Sequence, residues 1–197
     1  MNNKEDLTET FREACLSSEL IYDGQVVHLY RDTVRLPDGN PALREHIRHV
    51  GAVCVLPLDA DGFVYCVRQF RYPFGAVLTE LPAGKLDGKG EDRDAAARRE
   101  LREETGFTCG KLTRLGELYP SPAILDERIT FYLAEDLTPG ETDPDDDEFL
   151  STVRMPFAEL AEAVFSGKIP DAKTQIAVMR VAELLRRRAA GEQEVVS

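Results

Sequence analysis

Apolar residues in this chain gather in short runs closed by turn signals, and only three stretches carry the spacing of a helix. Ile21-Tyr22 stands before Asp23-Gly24, the run 26–30 follows, and 33–36 meets Pro37-Asp38-Gly39-Asn40 before 42–50 returns. Runs punctuated in this way predict three or four strands of an antiparallel meander. Residues 1–15 are polar and acidic and read as a frayed end or a short helix. So small a meander cannot bury a core alone. It must dock on the rest of the chain or on a second copy.

Residues 51–58 (GAVCVLPL) are apolar throughout and predict a buried strand, turned by Asp59-Ala60-Asp61-Gly62 into a second at 63–69. Further strands are expected at 78–82, 112–119, 129–134 and 152–155. Helical spacing marks 157–165 and 172–188, beside a helix that starts after Asp92. The sum is α/β: a mixed sheet with three helices, an α/β/α sandwich. Residues 1–48 then form a tail and meander, and 49–197 the main domain.

The first of these helices carries the chemistry. Residues 84–107 read GKLDGKGEDRDAAARRELREETGF. Asp92 suits the N-cap, Asp94 adds an acid to the first turn, Ala95-Ala96-Ala97 favours helix, and Gly106 suits the stop. Glu100, Glu103 and Glu104 then share one face, while Leu101 and Ala97 face a core and Arg98 and Arg102 point elsewhere. A solvated acidic face is the bland alternative. It fits badly, because like charges at i, i+4 repel and only Arg99 to Glu103 is a favourable pair. Three clustered carboxylates suit a hard divalent cation with oxygen ligands, and the Gly-rich segment before the helix brings backbone groups such as the Ala83 carbonyl to the same point.

Composition narrows the partners. A 43% hydrophobic, 30% charged chain of 197 residues is ordinary for a globular protein with a substantial core. Its net charge of −12 argues against duplex nucleic acid and against an anionic membrane surface. No run approaches a membrane span, and no signal peptide is read at the start. Cys15, Cys54, Cys66 and Cys109 lack C-x-x-C spacing, and Cys54 and Cys66 lie in apolar runs; reduced thiols in a cytoplasmic protein are expected.

The stretch 84–107 resembles a Nudix box, G-x5-E-x7-R-E-U-x-E-E-x-G-U, with U a bulky apolar residue. Glu91, Arg99, Glu100, Leu101, Glu103, Glu104, Gly106 and Phe107 fall in register, although six residues rather than five separate Gly84 from Glu91. The runs ALREH (42–46), RQFRYP (68–73), ELPAGKL (80–86), YPSPAILDE (119–127), DDDEF (145–149) and IPDAKT (169–174) are similar to the ADP-ribose pyrophosphatase branch. Pro122 stands near that branch's marker proline, but Ala123 replaces its usual Gly.

The resemblance implies a Nudix-type sandwich preceded by a dimerising meander, hence a homodimer. It implies Mg²⁺, or Mn²⁺, held by Glu100, Glu103, Glu104 and the Ala83 carbonyl. The activity implied is hydrolysis of a nucleoside diphosphate sugar, ADP-ribose to AMP and ribose 5-phosphate. Alternatives are GDP-mannose or another nucleoside diphosphate sugar, a non-catalytic ADP-ribose sensor, and a dimerising scaffold. Arg68 and Arg71 read either as exposed charges or as pyrophosphate contacts beside the acidic helix. The branch adds Arg44, Glu45, Glu80 and Glu127 as substrate contacts, and a catalytic Glu in the acidic loop 143–148. Glu148 is the candidate there, with Asp146, Asp147 and the helical Glu103 as rivals.

Overall fold

The structure, a computed structural model, describes residues 7–143 and 149–192. The chain divides into two compact units, Met1–His49 with Ser121–Glu127, and Val50–Pro120 with Arg128–Ser197.

In the first unit a short helix α1 (Leu7–Phe11) precedes β1 (Ala14–Asp23), β2 (His28–Arg35) and β3 (Pro41–Ile47), an antiparallel sheet in that order. The β2–β3 turn closes on Asp38, whose carboxylate accepts from the Asn40 backbone N–H at 2.9 Å. Strand β1 begins earlier than the apolar pattern at 21–22 suggests. Its polar first half is ordered by pairing with β2, including Arg31 to Glu19 at 2.8 Å. Strand β1 is an edge strand, and all ten of its residues are exposed. Ser121–Glu127 belongs to this unit: Ile47 N–H donates to the Ile124 carbonyl at 2.8 Å, and Asp126 N–H to the Ile47 carbonyl at 3.2 Å. That attachment has no local signal in the sequence. Ala123 sits in its turn, outside the positive-φ region, so it needs no Gly.

The second unit runs β4 (Ala52–Pro57), β5 (Phe63–Arg71), β6 (Ala76–Glu80), β7 (Ala83–Lys85), α2 (Arg93–Thr105), β8 (Phe107–Leu118), β9 (Ile129–Pro139), β10 (Leu150–Pro156), α3 (Phe157–Phe165) and α4 (Ala172–Ala190). One sheet, β7-β4-β9-β8, is mixed, with β4 and β9 parallel; a second, β10-β5-β6, is antiparallel. The fold is thus α/β, with two sheets where the pattern suggested one. Strand β4 shows how the layers form. Val53 and Val55 pack with Ala96, Ala97 and Leu101 of α2, while Cys54 and Leu56 pack with Leu160 of α3 and Val178 and Val181 of α4. Alternation along one fully buried strand therefore serves helices on both faces. The short β7 and the long ends of β8 and β9 carry little apolar signal. They form because ladder pairing satisfies backbone groups that would otherwise be orphaned.

Candidate active site

Helix α2 is set by its ends. The Asp92 carboxylate accepts from the Ala95 N–H at 2.9 Å, and Gly106 takes φ 75° and stops the helix. Leu101 and Ala97 are fully buried, which turns the face bearing Glu100 and Glu104 towards β7. Strand β7 is held by its ladder to β4, Cys54 opposite Ala83 and Val53 opposite Gly84. The Ala83 N–H donates to Glu104 Oε2 at 3.2 Å, and a Cβ on Gly84 would meet the Glu100 carboxylate at 2.1 Å. Glu104 and Glu100 are buried, at 3% and 7% exposure.

Arg99 gathers the acids of this face. Its Nη1 donates to Glu100 Oε1 at 2.8 Å and to Glu103 Oε2 at 3.0 Å, and its Nε and Nη2 reach Glu91 Oε1 at 3.4 Å. Glu91 also accepts from the Asp87 N–H at 2.6 Å, which closes the loop that carries the extra residue. The insertion therefore leaves Glu91 in reach of Arg99.

Across the β5–β6 hairpin, Arg71 and Glu80 lie on one face. Arg71 Nε and Nη2 each donate to the Glu80 carboxylate at 2.8 Å, a bidentate pair. Lys173 Nζ bonds to the same carboxylate and, at 3.0 Å, to Asp171. Burial pushes the Glu80 carboxyl up, but Arg71 and Lys173 outweigh it and hold the group below the usual range. The Glu80 hydrogen bond holds Arg71 above its ordinary pKa against some burial, and the charges of Asp171 and Glu104 add to it. Alternation along β5 sends Arg68 to the opposite face from Arg71, so the strand does not bring these two arginines together.

Arg44, Glu45 and Glu127 belong to the first unit. Arg44 Nε donates to Glu13 at 2.9 Å, Glu45 lies opposite Arg31 in the β2–β3 ladder, and Glu127 faces His49 Nδ1 at 3.6 Å. Glu148, Asp147 and Asp146 lie outside the described residues. Lys173 was not singled out by the pattern, yet a signal exists. It occupies the second position of α4, after the Asp171 N-cap, where the helix dipole disfavours a cation. A lysine there implies a particular acidic partner.

Among the described residues no three His, Cys, Asp or Glu side chains converge as a ready-made metal site. The donors nonetheless fit a hard divalent cation: buried carboxylates on one helical face, against a backbone whose Gly84 leaves no room for a Cβ. Glu100 and Glu103 already share one cation, the Arg99 guanidinium.

A profile of the NUDIX domain matches residues 47–177, and one of the Nucleoside diphosphate sugar hydrolase N-terminal domain matches 13–47. The chain belongs to the Nudix hydrolase family. It is 39% identical to an ADP-ribose pyrophosphatase of Bacillus subtilis over 172 residues, 86% of this chain and 92% of that one. It is also 39% identical to a methanol dehydrogenase activator of Bacillus methanolicus over 170 residues, 85% of this chain and 91% of that one. A crystal structure of ADP compounds hydrolase shares the fold at a TM-score of 0.79 and 24% identity, covering 90% of this chain and 96% of that one. No helix among the described residues is long and apolar enough to cross a membrane.

Proposed function

We propose that this chain hydrolyses the pyrophosphate bond of a nucleoside diphosphate sugar, ADP-ribose in particular, adding water to give AMP and ribose 5-phosphate. The observation that carries the reading is the coupling of a Nudix domain at 47–177 to a nucleoside diphosphate sugar hydrolase N-terminal domain at 13–47. The full-length similarity to an ADP-ribose pyrophosphatase supports the choice of base and sugar.

Glu100, Glu103 and Glu104, with the Ala83 carbonyl, would hold Mg²⁺ or Mn²⁺. Such a cation supplies charge neutralisation and Lewis acidity at the diphosphate. The fork of Arg71 steadies charge that builds on the phosphate oxygens. A carboxylate, Glu103 or Glu148, takes the proton from the attacking water. Arg68 faces away from this group, and its contact with the diphosphate is the weaker part of the pair. Glu80, at 2% exposure, serves Arg71 rather than the ligand. Arg44, Glu45 and Glu127 fall to the nucleoside and sugar.

The protein acts as a homodimer through its N-terminal sheet, whose edge strand exposes Leu16, Leu20, Ile21 and Tyr22. The buried thiols of Cys54 and Cys66 suit a reducing, cytoplasmic setting.

The test is product analysis. ADP-ribose, GDP-mannose, UDP-glucose and NAD⁺ are incubated with the protein and Mg²⁺, and nucleotides are resolved by chromatography. AMP from ADP-ribose, abolished by EDTA, is the expected result. Binding without cleavage would make the chain a sensor, and preferential release of GMP from GDP-mannose would change the substrate.

A further inference from the structure

We propose that Lys173 and Glu80 are positioning residues for Arg71, forming a clamp that aims the Arg71 guanidinium at the substrate diphosphate. The inference rests on reading Arg71 as the phosphate contact.

Arg71 spends Nε and Nη2 on Glu80, which fixes the plane of the guanidinium. Its Nη1 edge makes no hydrogen bond among the described residues, and its side chain is 38% exposed against 2% for Glu80. The arginine therefore presents one edge outward while the carboxylate behind it stays out of reach of a ligand.

An Arg–Glu pair alone is neutral, and a phosphate gains little from a cation whose charge is already cancelled. Lys173 supplies the second positive charge, bonded to the Glu80 carboxylate that holds Arg71. Its own anchor is Asp171, the N-cap of α4, whose other oxygen accepts from the Thr174 N–H at 2.9 Å and hydroxyl at 2.6 Å. The helix N-terminus and the Thr174 donors share the charge of Asp171, so Lys173 is divided between Asp171 and Glu80 rather than committed to its cap. Thr174 Oγ1 also accepts from the Leu81 N–H at 2.9 Å, two residues before Ala83. One helix cap thus holds both the arginine fork and the backbone that runs into the acidic helix face. Without Lys173, Glu80 and Asp171 would face each other across one cation, and Arg71 would be drawn inward.

Steady-state kinetics of the full chain with ADP-ribose and saturating Mg²⁺ decide it, using Lys173→Met, Arg71→Ala and the double variant. Lys173→Met is expected to lose on the order of 10-fold to 100-fold in kcat/KM, the scale of a misplaced binding group. The double variant is expected to match Arg71→Ala alone, because a clamp has nothing to act on once the arginine is gone. A purely structural lysine would multiply the two losses, and that result overturns the proposal while leaving Arg71 as a phosphate contact. Near wild-type Lys173→Met does the same. Wild-type activity in Arg71→Ala overturns both readings together. Should Lys173→Met not fold, as judged by thermal melting, Lys173→Gln enters the same cycle in its place.

Discussion

Gly84 and Glu100 approach so closely that a Cβ added to Gly84 would lie 2.1 Å from the Glu100 carboxylate. Gly84 is not among the glycines with positive φ, so space rather than backbone conformation demands the residue. The obstructing group is the end of a flexible side chain, and it can swing away. Gly84→Ala is therefore expected to melt within a few degrees of wild type and yet lose on the order of 100-fold in kcat/KM, because the carboxylate leaves its place. The loss should shrink as Mg²⁺ is raised. Unchanged activity at limiting Mg²⁺ would remove Glu100 from the metal set.

The edge strand β1 supplies a second expectation. Leu20 and Ile21, at an irregularity in the β1–β2 register, are 45% and 43% exposed, and all ten residues of β1 are exposed, so neither face of the strand is covered among the described residues. A second copy of the sheet would cover them. Leu20→Arg is expected to convert a dimer to a monomer in light scattering and to impair turnover, with the helical CD signal kept. A variant that stays dimeric would place the interface elsewhere.

Most of helix α2 was legible because its signals are local. The cap at Asp92, the stop at Gly106 and the buried Leu101 and Ala97 follow from neighbours in sequence, and the structure has them in place. Arg99 to Glu103 was expected from i, i+4 spacing and is found at 3.0 Å. The reach of Arg99 to Glu91, and the bond from Lys173 to Glu80 across 93 residues, depend on how strands and helices meet. No periodicity reports that. Arg68 and Arg71 were both read as phosphate contacts beside the acidic helix, and strand alternation sends them to opposite faces of β5.

Acid stability follows from Glu80. Its folded-state pKa is depressed, so its contribution is complete above the ordinary carboxyl value of about 4.3 and is lost as pH falls through the folded value. The melting temperature is expected to hold between about pH 7 and 5 and to drop steeply below about 4. Glu80→Gln should melt lower at neutral pH, since Arg71 and Lys173 lose their shared anion, and its decline with acid should be shallower. Parallel acid limbs for the two proteins would show that Glu80 carries no such linkage.

Identity of the base remains the sharpest chemical question, with Glu103 and Glu148 as the rivals. Glu103 sits on the acidic face of α2, bonded to Arg99 at 3.0 Å and 3.8 Å from Arg102. The Arg99 hydrogen bond occupies a lone pair that a water proton would need. Its backbone carbonyl accepts from the Asp143 N–H at 3.0 Å. Glu148 is the only glutamate between residues 142 and 158, and a base within reach of the attacking water contributes about 10²–10⁴ in rate. Glu148→Gln is therefore expected to lower kcat by that order with KM and Mg²⁺ affinity little changed, while Asp147→Asn and Asp146→Asn are milder. Glu103→Gln should instead weaken Mg²⁺ binding, and excess metal should restore much of its kcat. The opposite split, with Glu103→Gln inactive at saturating Mg²⁺ and Glu148→Gln near wild type, would put the base on the helix.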